Sequence, residues 1–151
     1  MVKIGELIEW KILMPANRAY LTQQDVSTIL AASEAFAAKG NFSVTISIVD
    51  DGGHLLGLLR RDGAAPVTAY ISQEKARASA LGRRESKVYE DIINNGRTAF
   101  LGATPALHGV LEGGVNIVVD GHTIGAVGVS GVKSTDDAEI AKAGIAALGI
   151  K

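Results

Sequence analysis

The chain contains no cysteine. Disulfides, zinc–thiolate centres, iron–sulfur clusters and cysteine nucleophiles are therefore excluded. Aromatic residues make up only 5% of the sequence, so large rings cannot dominate its core. Charge of neither sign prevails: 15 Lys and Arg stand against 16 Asp and Glu, a formal net charge of −1. Nucleic-acid binding and adhesion to anionic membranes both need clustered cations, so neither partner is expected. No stretch approaches the roughly 20 apolar residues of a membrane-spanning helix. The first 20 residues place Glu6, Glu9 and Lys11 where a signal peptide needs an unbroken apolar core. A cytoplasmic protein is the expectation.

What the chain does have is small and aliphatic residues, including 18 glycines, in a length of 151 residues that suits one domain. Such a composition favours closely packed layers. Residues 2–13 set Ile4, Leu7, Ile8 and Ile12 at helical spacing. So short a helix is marginal unless docked, on its own domain or on a neighbouring subunit. We therefore expect an arm at 1–19 and a single domain at 20–151.

A helix is predicted over 22–39, opened by a Thr22/Asp25 capping box and closed at Gly40. Its expected apolar stripe is Val26, Ile29, Leu30 and Phe36. The segment SVTISIV (43–49) alternates as a strand, DDGG turns, and HLLGLLR returns as its hairpin partner. A helix follows Pro66, with Val67, Ile71, Ala78 and Leu81 expected on one face. A shorter helix, SKVYEDIIN, ends at Asn95-Gly96, and 97–112 read as loop. The last helix runs from Ser134, with Asp137 repeating the capping signature, through Ile140 and Gly144 to Leu148.

The second hairpin is GGVNIVVDGHTIGAVGVSG (113–131), turning at Asp120-Gly121. Paired symmetrically, Val119 faces His122, Ile117 faces Ile124 and Val115 faces Ala126. Glycine weakens strands, so Gly125 and Gly128 need a reason. They fall on opposite faces, where a helix backbone or a ligand can approach closely, and Gly144 is a candidate partner. Hairpins followed by helices predict an α/β domain of the α+β type. Its antiparallel sheet would have about four to five strands, with helices packed on its faces.

In order and spacing, VDDGGHLL, RRDGA, KARASA and GGVNIVVDGHTIGAVGVSGVKSTDDAEIAKAG resemble the GlcG/HbpS family of small haem-binding or haem-degrading proteins. The C-terminal domain of PduO-type proteins is similar. The resemblance covers about residues 20–150. It implies a profilin-like domain, homo-oligomers with pockets near subunit contacts, and haem as a cofactor, broken down oxidatively in some members. No nucleotide is expected, because GAVGVSG lacks the dinucleotide fingerprint.

Arg61, Asp62 and Gly63 match the family's RDGA segment, and Lys75 its KA segment. The Arg61 fork can hold a carboxylate or haem propionate, or simply pair with Asp62. Lys75 reads as a pocket cation or a surface lysine. Ser130 and Gly131 end a strand just before a helix, a common place to receive an anion or a polar ligand edge. Asp62, His108 and Asp136 are the candidate acid–base groups, with helix capping as the alternative for Asp136 and Asp137. His54, His108 and His122 are the only histidines, and no two share a metal-ligand spacing on one element. Any of them can ligate haem iron, and no iron ligand is carried over. If the two hairpins share a sheet, Arg61–Gly63 and Ser130–Gly131 are expected to converge on one anion pocket.

Three functions follow from these residues. One is haem or tetrapyrrole binding, serving haem breakdown. Another is a cofactor-free enzyme on a small carboxylated catabolite, clamped by Arg61. The last is a non-catalytic, oligomeric accessory protein of a catabolic operon. Both sheet faces look apolar and few helices exist to cover them. At least a dimer is therefore expected, and light scattering at micromolar concentration should give a mass well above the 15.7 kDa of one chain.

Overall fold

The computed structural model describes residues 16–150, so the reading of residues 2–13 as an arm lies outside the described residues. The elements are α1 (Gln23–Lys39), β1 (Thr45–Asp50), β2 (Leu55–Arg60), α2 (Val67–Gly82), α3 (Lys87–Asn94), β3 (Gly114–Val119), β4 (His122–Ser130) and α4 (Ser134–Ala146). A short 3-10 turn at Thr98–Gly102 interrupts the predicted loop. Four strands form one antiparallel sheet in the order β2-β1-β4-β3. The two hairpins meet through β1 and β4, which puts both hairpin turns at one end of the sheet.

The sheet's two faces have different chemistry. On one face Val44, Ile46, Ile48, Val127 and Val129 form the main core with Val26 and Ile29 of α1 and Ile140 of α4. The predicted capping box starts α1: the Asp25 N–H donates to the Thr22 hydroxyl, and the Thr22 N–H donates to the Asp25 carboxylate. The α1 stripe includes Ser33 and Ala37, while Phe36 is exposed. Gly144 lets α4 close onto α1 rather than onto the strand glycines. A Cβ there would lie 2.1 Å from the Ser33 hydroxyl oxygen, which itself donates to the Ile140 carbonyl.

The other face is polar and small. Thr45 pairs with Thr68, and Ser47 with Ser72, through hydroxyl contacts of 2.7 Å each. Helix α2 therefore buries Thr68, Ser72, Ala76 and Ser79, and leaves Val67 and Leu81 exposed. The predicted stripe of Val67, Ile71, Ala78 and Leu81 is thus not the sheet-facing one. A strand row of hydroxyls selects a helix row of hydroxyls, because buried donors and acceptors must be matched. Gly128 faces this helix: a Cβ there would lie 2.1 Å from the Ser72 carbonyl oxygen and 2.5 Å from the Ala76 nitrogen. Gly125 lies on the opposite face, where a Cβ would meet Leu21 and the Val49 carbonyl at 2.5 Å.

The β3–β4 register departs from the symmetric pairing. Val119 faces His122 and Val118 faces Thr123, but Ile117 then faces Gly125 and Val115 faces Val127. Ile124 is the extra residue of a bulge, so it joins the core row without breaking the ladder beyond it. Asp120 and Gly121 both take positive φ, 48° and 76°, the type I′ pattern that fits strand twist.

One ion pair ties the two faces together. The Lys75 ammonium, on α2, donates to the Asp137 carboxylate at 2.9 Å and to the Val129 carbonyl at 3.0 Å. The two side chains are 3% and 2% exposed. Asp137 also accepts from the Val132 N–H, so its carboxylate turns inward and does not complete the predicted cap with Ser134. Burial pushes the Asp137 carboxyl above its ordinary value, against the pull of Lys75 and the Val132 N–H.

Two stability measurements follow. Gly128→Ala forces a methyl into the α2 backbone and should cost about 1–3 kcal/mol in urea unfolding. Gly102→Ala, which meets nothing within 4 Å, should stay within about 0.5 kcal/mol of wild type. Lys75→Met strands a buried carboxylate and should cost about 3–5 kcal/mol, most of it recovered by adding Asp137→Leu. A double variant no more stable than Lys75→Met would show that the pair is not the source of the loss.

Candidate functional site

The Arg61–Gly63 and Ser130–Gly131 segments lie at the sheet end opposite the hairpin turns, without a shared cavity. Thr45 pairs with Arg60 on one side and Ser130 on the other, so β1 separates the two strand ends by two strand spacings, about 10 Å. The chain at Ser43–Val44 fills the gap. A Cβ on Gly63 would lie 3.0 Å from the Ser43 hydroxyl, and one on Gly131 would lie 2.5 Å from the Ser43 carbonyl. Gly63 has φ of +82° in a turn closed by the Ala64 N–H on the Arg61 carbonyl, so its backbone role is clear. Ser130 is buried as the last residue of β4.

Arg61 turns toward α1. Its Nε donates to Glu34 at 3.1 Å, and a terminal nitrogen donates to the Phe42 carbonyl. Arg60 lies on the other face of β2 and is exposed, so the two arginines do divide between faces. A shallow cleft beside Arg61 is bounded by Glu34, Leu59, Arg60 and Asp62, and includes neither Ser130 nor Gly131. Lys75 is spent on Asp137 in the core. Asp136 sits in the first turn of α4, and its charge opposes ionisation of Asp137. His108 is exposed in the 103–113 loop, whose Gly109 packs against the α2 backbone at Glu74 and Lys75. Asp62 is exposed at its turn.

A different set of side chains assembles at the hairpin-turn end. One cleft is lined by Arg18, Arg83, Asn116, Val118, His122 and Thr123. A second, adjoining cleft shares Arg18 and His122 and adds Ala16, Asn17, Val119 and Asp120. The type I′ turn places His122 at their common rim. Asn116 is held across the hairpin by its amide on the Thr123 hydroxyl at 3.1 Å. Arg18 pairs with Asp51 from the other hairpin turn.

The histidines differ in what fixes their rings. His122 Nδ1 lies 2.9 Å from the Asp120 carbonyl, which can only accept. Nδ1 must therefore carry the proton, and in the neutral ring Nε2 keeps its lone pair. His54 Nδ1 contacts the Asp50 carboxylate at 3.0 Å; the side chain is exposed, as that of His122 is, but lines neither hairpin-end cleft. With Nδ1 donating to the carbonyl, Nε2 is the ring nitrogen left to face a ligand, and the two guanidiniums of the cleft can receive acidic groups. Sequence reasoning passed over Arg18 and Arg83 and left His122 as one of three histidines that can each ligate haem iron. The one available signal was the Asp-Gly-His order, which puts the histidine directly after a tight turn. Among the described residues no three His, Asp or Glu side chains cluster to hold a bare metal ion, and no helix is long and apolar enough to cross a membrane.

Comparison with known proteins places the chain in a family. The protein GlcG of Escherichia coli K12 is 60% identical over 114 residues, 76% of this chain and 84% of that protein. The crystal structure of Klebsiella pneumoniae protein ORFY superposes with a TM-score of 0.82 at 25% identity, covering 91% of this chain and 97% of that one. A double mutant of Streptomyces reticuli HbpS does so with a TM-score of 0.80 at 26% identity, covering 89% and 91%. A family model described as haem degrading protein HbpS-like matches residues 21–146, and the chain belongs to that HbpS-like family.

Proposed function

We propose that this protein binds haem at the hairpin-turn end of its sheet, in the service of haem breakdown. The reading is supported by the family's description and by the donor set of the cleft. The observation that carries it is the Asp120 carbonyl on His122 Nδ1, which presets Nε2 as an iron ligand. Val118 and Val119 supply apolar contact beside it, and Arg18 and Arg83 supply charge for the propionates. Bound haem contributes the redox-active iron. The chain's own part is to orient the imidazole through the turn, hold the acidic edge, and shield one face of the ring with the β3–β4 hairpin.

Haemin titration tests this directly. Wild type should show a Soret shift that His122→Ala abolishes, while His54→Ala and His108→Ala retain it. No shift in wild type, or a shift lost only with His54 or His108, would overturn the assignment.

A further inference from the structure

We infer that Arg83 is the anion anchor of the hairpin-end cleft, and that with Arg18 it selects ligands bearing two carboxylates. This rests on the reading of that cleft as a tetrapyrrole site and assigns what recognises the ligand's edge.

Arg83 caps the C-terminus of α2 with φ 55° and ψ 39°, the left-handed region that non-glycine residues avoid. Helices commonly place glycine there. Here the glycine comes one residue earlier, for a different purpose. A Cβ on Gly82 would lie 1.5 Å from the Tyr89 hydroxyl oxygen, so Gly82 is committed to the packing of α3. The left-handed position therefore falls to an arginine.

The next residue shows what a structural arginine looks like at this helix end. Arg84 donates from Nε to the Gly82 carbonyl at 3.1 Å, and its guanidinium lies 5.7 Å from the centre of the Tyr89 ring. The Arg83 backbone N–H donates to the Ala80 carbonyl, but its guanidinium makes no hydrogen bond or ion pair among the described residues, and it lines the cleft. Its unfavourable backbone thus secures no polar contact of the guanidinium among the described residues. What it does is deliver a guanidinium with five donors to a cleft whose described lining contains no acidic residue.

Arg18, across the same cleft, is already paired with Asp51. A first carboxylate would engage Arg83, and a second would share Arg18 with Asp51. One guanidinium without a polar partner and a second shared with Asp51 give the cleft two points at which acidic arms can dock, the first the stronger.

Metal-free protoporphyrin IX, followed by fluorescence, tests the anchor without involving iron or His122. Arg83→Gly should weaken its binding by about tenfold or more, the loss of one charge-assisted contact. The same substitution should raise the thermal midpoint, because glycine accepts the left-handed backbone; a merely structural arginine would lower it. Arg83→Lys should keep part of the affinity. Wild type should bind the porphyrin dimethyl ester more weakly than Arg83→Gly binds the diacid, because the diester loses both carboxylates and the variant only one anchor. Diacid binding by Arg83→Gly within twofold of wild type, or equal binding of diacid and diester by wild type, would overturn the proposal. Wild type that binds no porphyrin would overturn both this and the haem reading. Arg83-dependent porphyrin binding alongside a Soret shift indifferent to His122 would remove only the iron ligand.

Discussion

Helix α2 meets the sheet backbone to backbone. At Gly128 and Gly114 of the sheet, and at Gly109 of the loop before it, the nearest atoms that a side chain would displace are main-chain atoms of residues 72–76. Nothing at these points can adjust by a rotamer change, so the helix has one seat and one axial position. That constraint reaches both ends of the molecule. It sets Lys75 where it can touch the Val129 carbonyl and Asp137, and it brings the helix C-terminus out beside the β3–β4 hairpin. A helix held off the sheet by larger side chains would lose both placements at once.

The two faces of the sheet divide the work. The α1/α4 face buries aliphatic side chains and supplies the nonspecific driving force of folding. The α2 face is lined by small and hydroxyl residues, whose paired hydrogen bonds are directional. It adds less apolar burial and more positional definition. The Lys75–Asp137 pair sits where the two regimes meet, and burying it costs desolvation that only its full set of partners offsets.

Local signals were legible in the sequence wherever the deciding contact was local. The Thr22/Asp25 box and the Asp120-Gly121 turn are each settled within four residues, and both formed. The Ser134/Asp137 signature is the same kind of pattern, yet Asp137 is claimed by a lysine 62 positions away. The sheet-facing side of α2 was misread for a related reason: apolar periodicity assumes an apolar partner, and the partner strand presents Thr45 and Ser47. The site was the least legible part. Arg61 carries a recognisable motif but spends its donors on Glu34 and Phe42, whereas Arg83 belongs to no motif and is notable only for its backbone angles.

The bulge at Ile124 gives the hairpin tip an unusual relation to change in chain length. One surplus residue lets His122 share a row with Val119 and Ile117 while Gly128 still faces α2. Loss of that residue would leave the pairs on both sides of it in place, Ile117 with Gly125 and Val118 with Thr123. Point substitutions at the tip alter one group at a time. A single-codon deletion of Ile124 would take one side chain out of the core and leave the imidazole on its own side, so the tip can shorten by one residue without moving its ring.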